Sequence, residues 1–393
     1  MLEEWHKELS REIDLIKQKG LYRQLKRLES SQAPRTVING KEVIMLASNN
    51  YLGLTIEPEI KQKTIETVKE YGTGSGGSRL TTGNYDLHQS LESELANFKD
   101  TEAAIIFNTG YMANLGVLTT VVGQKDLIIS DELNHASIID GCRLSKAEVV
   151  IYKHKDLKDL ELKLQKGKNY RRILIVTDGV FSMDGDLTPL PGIVDLASKY
   201  QALVMVDDAH GTGVLGESGA GIVEHFNLKN EVDIQVGTLS KALAAEGGFI
   251  AGNKLLVDLL RNKARSFIYS TALAPSAIEA GLSSLQYLYN NPQILRRLWR
   301  NINLLKSGLK DLGYQLLPSN SPIIPIMIGD EEETIELSHR LLEEGILAPG
   351  IRPPTVPKRT SRIRTTVMAN HQIKDIEEAL EVFAKLGREL NLI

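Results

Sequence analysis

From about residue 100 the chain repeats one pattern: a short apolar run, a polar tip, then a stretch of helical periodicity. "AAIIFNTG" runs into "YMANLGVLTTVV", and "DLIISDELNHASI" into "IDGCRLSKA". "RRILIVTDGVFSM" precedes "GIVDLASKYQ", and "ALVMVDDAHG", "VDIQVGTLSKAL" and "GGFIAGN" follow in turn. Runs that are apolar throughout, rather than alternating, suit strands buried on both sides by covering helices. The pattern predicts an α/β fold with a mostly parallel sheet and helices on both faces.

From about Pro292 the character changes. "LRRLWRNINLLKSGLKDLGY", "TIELSHRLLEEG" and "QIKDIEEALEVFAKLGREL" read as helices, and "PIIPIMIG" and "SRIRTTVMA" as strands. We expect an N-terminal helical and strand segment over 1–47, a large α/β domain over 48–290, and a smaller C-terminal α+β domain over 291–393. No repeat or low-complexity linker separates them, so tight packing is expected. The opening "MLEEWHKELSREIDLIKQKG" places Trp5, Leu9, Ile13 and Ile16 on one helical face. Its acids, Glu3, Glu4, Glu8, Glu12 and Asp14, are foreign to transit peptides, so it reads as a packing or dimer-contact helix.

One short motif points elsewhere. "GTGSGGSR" spells G-x-G-x-x-G from Gly72 through Gly74 to Gly77, the spacing of a dinucleotide-binding turn. Such a turn follows a strand and opens a helix. Here the preceding "PEIKQKTIETVKEY" is helical, with Pro58 suited to a first turn. Glu92, about twenty residues on, falls within "DLHQSLESELANF", another helix. A dinucleotide site is therefore not expected.

The net charge of −4 gives no reason to expect a nucleic-acid or membrane-surface partner. No apolar run approaches the roughly 20 residues that span a bilayer. With Cys142 as the sole cysteine, no intrachain disulfide can form, which suits a cytoplasmic setting.

In open parallel sheets, ligands bind beyond the carboxyl ends of the strands. Those ends carry Asn108, Thr109 and Gly110; Asp131, Asn134 and His135; Asp178 to Asp184; Asp207, Asp208 and His210; and Thr238, Ser240 and Lys241. Lys241 follows a buried-type strand and precedes apolar "ALAAEGGF". Desolvation there lowers an amine's pKa and makes it nucleophilic; the alternative is a solvated lysine at a helix start. Thr238 and Ser240 beside it suit a phosphate. Asp207 either caps its own turn or faces a buried cation such as a protonated pyridine nitrogen. His210 is either a satisfied structural histidine or a ring partner. A metal hydrolase built on Asp131, Glu132, His135, Asp207, Asp208 and His210 is the rival. It lacks paired-histidine spacing and leaves Lys241 without a role.

The ordered set "SNNYLGL", "GTGSGGSRLTTGN", "SDELNHASIIDGCRLSKA", "TDGVFSMDGD", "VDDAHGTGVLGESG", "GTLSKALAAEGG" and "SRIRTT" resembles the α-oxoamine synthases from about residue 20 to the C-terminus. These are fold-type-I pyridoxal 5'-phosphate (PLP) enzymes that condense an amino acid with an acyl thioester and release CO₂. The resemblance implies that Lys241 holds PLP as a Schiff base and removes a proton. Asp207 would partner the ring nitrogen, and His135 would stack on the ring and assist the acyl oxygen. Ser182 and His210 would lie near the ring hydroxyl, and Thr238 and the N–H groups of Gly110 and Tyr111 at the phosphate. Arg364 would pair with the substrate carboxylate; the alternative is a surface arginine on an edge strand. Asn49, Arg23, Ser78, Arg352 and Thr355 fall on the substrate side. In this family the site is shared across a homodimer, with Thr271 reaching the partner's phosphate. The glycine-rich loop, with Ser78 and Arg79, would lie near the interface and the acyl-substrate opening. No metal is implied.

Two substrate pairs compete: L-alanine with a pimeloyl thioester, CoA or carrier protein, as in biotin synthesis, and glycine with acetyl-CoA. "APGIRPPTVP" together with "RLTTGN" and "AEGGF" resembles the first branch. Dual activity is the intermediate case.

Overall fold

The computed structural model describes residues 1–23 and 25–393. Its centre is a seven-stranded sheet formed by β3 (Ala103–Phe107), β4 (Leu127–Asp131), β5 (Glu148–Tyr152), β6 (Ile173–Asp178), β7 (Leu203–Asp207), β8 (Ile234–Thr238) and β9 (Gly248–Gly252). The order is β3-β9-β8-β7-β6-β4-β5, and β9 alone runs against the others. The fold is thus the mostly parallel α/β arrangement that the apolar runs require. β5, with its exposed Val149 and Ile151, is an edge strand whose pattern was not singled out in the sequence.

The two faces of the sheet feed separate cores. On β6, Ile173 and Ile175 join one core while Leu174 and Val176 join the other; on β7, Val204 and Val206 oppose Met205. This is the period-2 geometry of a strand whose two faces are both covered. One face is covered by helices that include α3 (Asp86–Phe98) and the helix Pro275–Asn290. On the other lie α4 (Gly110–Val121), α5 (Ala136–Ser145) and the helix Lys254–Lys263.

The C-terminal part holds a sheet of β10 (Ile323–Gly329), β12 (Gly350–Ile351) and β13 (Ser361–Thr366), in the order β10-β13-β12. β13 is therefore central, not an edge, and every residue on it is buried. A second small sheet joins the chain's two ends: β1 (Arg35–Ile38) pairs with β2 (Lys41–Met45), and β2 pairs in parallel with β11 (Ile346–Leu347). At the N-terminus, α1 (Leu2–Gln18) buries no residue against this chain. No helix among the described residues is long and apolar enough to cross a membrane.

Between α1 and β3, α2 (Pro58–Tyr71) has proline in its first turn, and Gly72 ends it at φ 82°. The glycine-rich loop thus connects two helices. Arg79 turns inward from it, holding Glu92 through two hydrogen bonds of 2.8 and 3.1 Å and Asn84 at 2.7 Å.

Candidate active site

A cavity of about 220 Å³ opens where β4, β6, β7 and β8 end. At one end, α4 begins at Gly110, and its first residues leave backbone N–H groups without helical acceptors. Thr109 caps the helix, its hydroxyl accepting from Met112 N–H at 3.1 Å. Thr238 and Ser240 stand beside this terminus, 2.7 Å apart hydroxyl to hydroxyl. Gly248 lets β9 pass against it: a Cβ there would lie 2.4 Å from Gly110 N. Tyr111 also lines the cavity, with its hydroxyl donating to Asp140.

Asp207 closes the far side. Ala209 N–H donates to one carboxylate oxygen at 3.0 Å and Asn114 Nδ2 to the other at 2.7 Å. One oxygen therefore caps the turn, one of the two readings the sequence left open, and the second faces the α4 side. The end of β7 is anchored beneath by a fully buried pair: Lys99 Nζ lies 2.7 Å from Asp208 Oδ2. A Cβ at Gly221 would sit 1.7 Å from that oxygen, so only glycine lets the backbone pass there.

His135 is the N-cap of α5 and shares Nδ1 with the Ser137 hydroxyl at 2.7 Å. Its own N–H donates to Asp178 at 3.1 Å. Burial, with the Lys241 charge and against the opposing pull of Asp207, pushes its pKa down, so the ring is neutral near pH 7. His210 is driven well below the usual range by burial and then by Lys241 and Arg364; its Nδ1 meets the Tyr51 hydroxyl at 2.7 Å. Lys241 lies in the same wall. Burial lowers its pKa to about 8 against the opposing pull of Asp207 and Asp178. Burial, with Asp207 nearby, pushes the Asp178 carboxyl well up.

Ser182 also lines the cavity, and its carbonyl accepts from Arg364 Nε at 2.5 Å. Arg364 Nη2 reaches Asn49 Oδ1 at 3.1 Å. The guanidinium is thus a buried group on a central strand, not a surface arginine on an edge.

Some residues singled out in the sequence lie apart from this cavity in the single chain. Thr271 is exposed and forms a bridge with Ser78, whose hydroxyl lies 3.3 Å from that of Thr81. Arg352 donates to the Gly20 carbonyl, Thr355 N–H bonds to the Arg352 carbonyl at 3.0 Å, and Arg23 is exposed. The sequence reading missed Asn114, Ser137 and Tyr51. Asn114 left a signal, being a buried polar residue in the otherwise apolar "YMANLGVL". No group of three or more His, Cys, Asp or Glu among the described residues is placed to hold a metal ion.

The donor set fits PLP: hydroxyls and a helix N-terminus for a phosphate, a carboxylate for a pyridinium, a neutral imidazole for a ring face, and an amine. Over residues 41–383 the chain matches the model for aminotransferase class I and II.

The chain belongs to the α-oxoamine synthases of that family.

It is 49% identical to the 8-amino-7-oxononanoate synthase of Lysinibacillus sphaericus, over 98% of each chain. It is 51% identical to that of Symbiobacterium thermophilum, again over 98% of each. Among solved structures it is similar to SPT (serine palmitoyltransferase) with PLP, at TM-score 0.94 and 34% identity over 98% of each chain. Membership accounts for the fold-type-I architecture and for the ordered motifs at the strand ends.

Proposed function

We propose that this chain is a PLP-dependent 8-amino-7-oxononanoate synthase. It condenses L-alanine with a pimeloyl thioester, releasing the thiol and CO₂, in biotin synthesis. The observation that carries the reading is Lys241, a buried amine of pKa about 8 sharing one cavity with Asp207 and His135. Relatives of that name, about half identical over nearly the whole chain, support the substrate pair.

PLP, when bound, supplies an electron sink for the α-carbon of the amino acid. Lys241 would hold the cofactor through its amine and would accept the α-proton, a task suited to an amine of pKa about 8. Asp207 would hold a proton on the ring nitrogen, and Asn114 and the Ala209 N–H keep both of its oxygens in place. His135, uncharged, would cover the ring and polarise the acyl oxygen. Ser182 and His210 would flank the ring hydroxyl, with Tyr51 orienting His210. The phosphate would be held by Thr238 and the N–H groups of Gly110 and Tyr111. Arg364, steadied by Asn49 and the Ser182 carbonyl, takes the L-alanine carboxylate as a two-pronged donor.

Residues 48–290 act as the cofactor-binding unit and 291–393 as the unit that brings Arg364. The working form is a cytoplasmic homodimer. Among the described residues nothing buries the apolar side of α1, and Thr271 and Ser78 stand outside the cavity; both observations support a second subunit, whose phosphate Thr271 would reach while Ser78 would lie near the acyl-substrate opening. Arg23, Arg352 and Thr355 join the thioester side.

The test is thiol release by the cofactor-loaded protein, comparing L-alanine plus pimeloyl-CoA with glycine plus acetyl-CoA. Preference for the first pair is expected, with release abolished by Lys241→Ala. Preference for the second overturns the substrate assignment, and release that survives Lys241→Ala overturns the chemistry.

A further inference from the structure

His154, just beyond β5, is a partly buried titratable group outside the cavity, with no task in the proposed reaction. Its Nδ1 lies 2.9 Å from Asp131 Oδ1 and its Nε2 3.1 Å from Asp186 Oδ2. An imidazole with a carboxylate at each nitrogen donates to both only when protonated. Burial opposes that charge, but the two hydrogen bonds outweigh it and raise the pKa to about 9.

The neighbours share the arrangement. Lys155 Nζ meets Asp186 at 2.7 Å, and Lys155 N–H donates to Asp131 at 3.0 Å. Glu132 accepts from the His154 N–H at 3.0 Å. Behind Asp131 stand Tyr152 and Asp178, whose pKa values burial pushes up and the Asp131 charge pushes up further. The His154 ring meets Phe181 edge-on, with centroids 4.3 Å apart.

Asp131 closes β4, whereas Asp186 sits in the turn that carries Ser182. That turn is closed by Phe181 N–H to the Asp186 carbonyl at 3.1 Å. On its other side Arg362 pairs with Asp184 at 2.6 Å and Arg364 holds the Ser182 carbonyl. His154, together with Lys155, thus links the end of β4 to the turn.

We propose that His154 is a positioning residue: by bridging Asp131 and Asp186 it fixes the turn 181–186, and with it the Ser182 carbonyl that aims Arg364 at the amino-acid carboxylate. The inference rests on the role proposed above for Arg364. His154 touches the turn at Phe181 and Asp186, whereas Arg364 bonds the turn at Ser182, so the effect passes through the position of the turn.

The test uses cofactor-loaded His154→Gln and Asp186→Asn proteins whose folding is checked by thermal unfolding. L-alanine is titrated against the cofactor's absorption spectrum. Half-saturation is expected to rise about tenfold in each variant, while cofactor affinity changes less than about twofold. In the His154→Gln background, Arg364→Lys should weaken L-alanine binding by less than it does alone, because both changes act on one arrangement. If His154→Gln fails to fold, Asp186→Asn with Arg364→Lys carries the same test. L-alanine binding equal to that of the parent, or strictly additive losses, overturns the inference and leaves the reaction standing. No spectral response to L-alanine in the parent removes the reading and the inference together.

Discussion

Asn114 donates to Asp207 at 2.7 Å through an amide that also reaches the Ser137 hydroxyl at 2.8 Å, and Ser137 in turn holds His135. One side chain in the middle of α4 therefore links the carboxylate at the end of β7 to the imidazole at the start of α5. Both groups depend on a residue that lines the cavity behind them.

Removing that amide is expected to be costly. In Asn114→Leu the buried Asp207 carboxylate loses a donor, which costs about 1–3 kcal/mol. PLP affinity should fall by about tenfold or more, followed by titrating the cofactor into the apoprotein and recording its absorbance. Unchanged affinity would show that the Ala209 N–H alone suffices to hold Asp207.

Lys241 should reveal its depressed pKa directly. In cofactor-free protein, an amine-reactive reagent should label Lys241 with a rate that rises through pH 7 and levels above about 8. An ordinary lysine, with a pKa near 10.4, keeps accelerating beyond pH 10. Peptide mass spectrometry reads the two apart; a Lys241 plateau above pH 10 would contradict its desolvation. The linkage has a definite sign. Between about 8 and 10.5 the unfolded chain binds the extra proton, so this group's contribution to stability grows as pH rises through that window.

Arg79 is expected to matter for folding more than for substrate. Glu92 takes two bonds from Arg79 and also accepts from Ile106 N–H at 3.1 Å, so it ties the glycine-rich loop to β3. Arg79→Met strands a nearly buried carboxylate, a loss of about 3–5 kcal/mol. Chemical denaturation should show that drop, and the double change Arg79→Met with Glu92→Gln should recover part of it. A normal midpoint accompanied by a raised KM for the thioester would instead assign Arg79 to the substrate.

Acid should act through His371 and His88, whose pKa values burial lowers to about 4. His371 Nδ1 accepts from Met368 N–H at 2.9 Å, which requires the neutral ring. The unfolded chain takes up protons near 6.5 and the folded one near 4, so stability falls as pH drops across that interval, by about 3 kcal/mol for His371. His154 has the opposite sign. Its pKa is raised to about 9, so its contribution is complete below about 6.5 and fades as pH rises to 9. Unfolding midpoints of His371→Asn and His154→Gln, measured against the parent from pH 4 to 9.5, should diverge in opposite directions. Parallel curves would refute both assignments.

Local and periodic features were legible in the sequence. Short continuous apolar runs rich in β-branched residues and bounded by turn residues indicate strands covered on both sides, because a buried helix needs a longer run. Proline in the first turn of α2 and Gly72 at its end bound that helix. Strand-end polar residues mark a site, because a parallel sheet brings its carboxyl ends to one edge. Lys241, Asp207 and His135 could be named from that rule and from the motifs around them.

Contacts across long separations were settled only by the tertiary structure. Asn114 meets Asp207 across 93 positions and Arg364 meets Ser182 across 182, and no periodicity encodes such pairs. β13 reads as a strand in the sequence, yet its central place, which buries Arg364, depends on β10 and β12 arriving on either side. β2 pairs with β11 near the other end of the chain for the same reason. Hydrogen-bonding groups at strand edges specify that a partner is needed, and the packing of the whole chain selects which one.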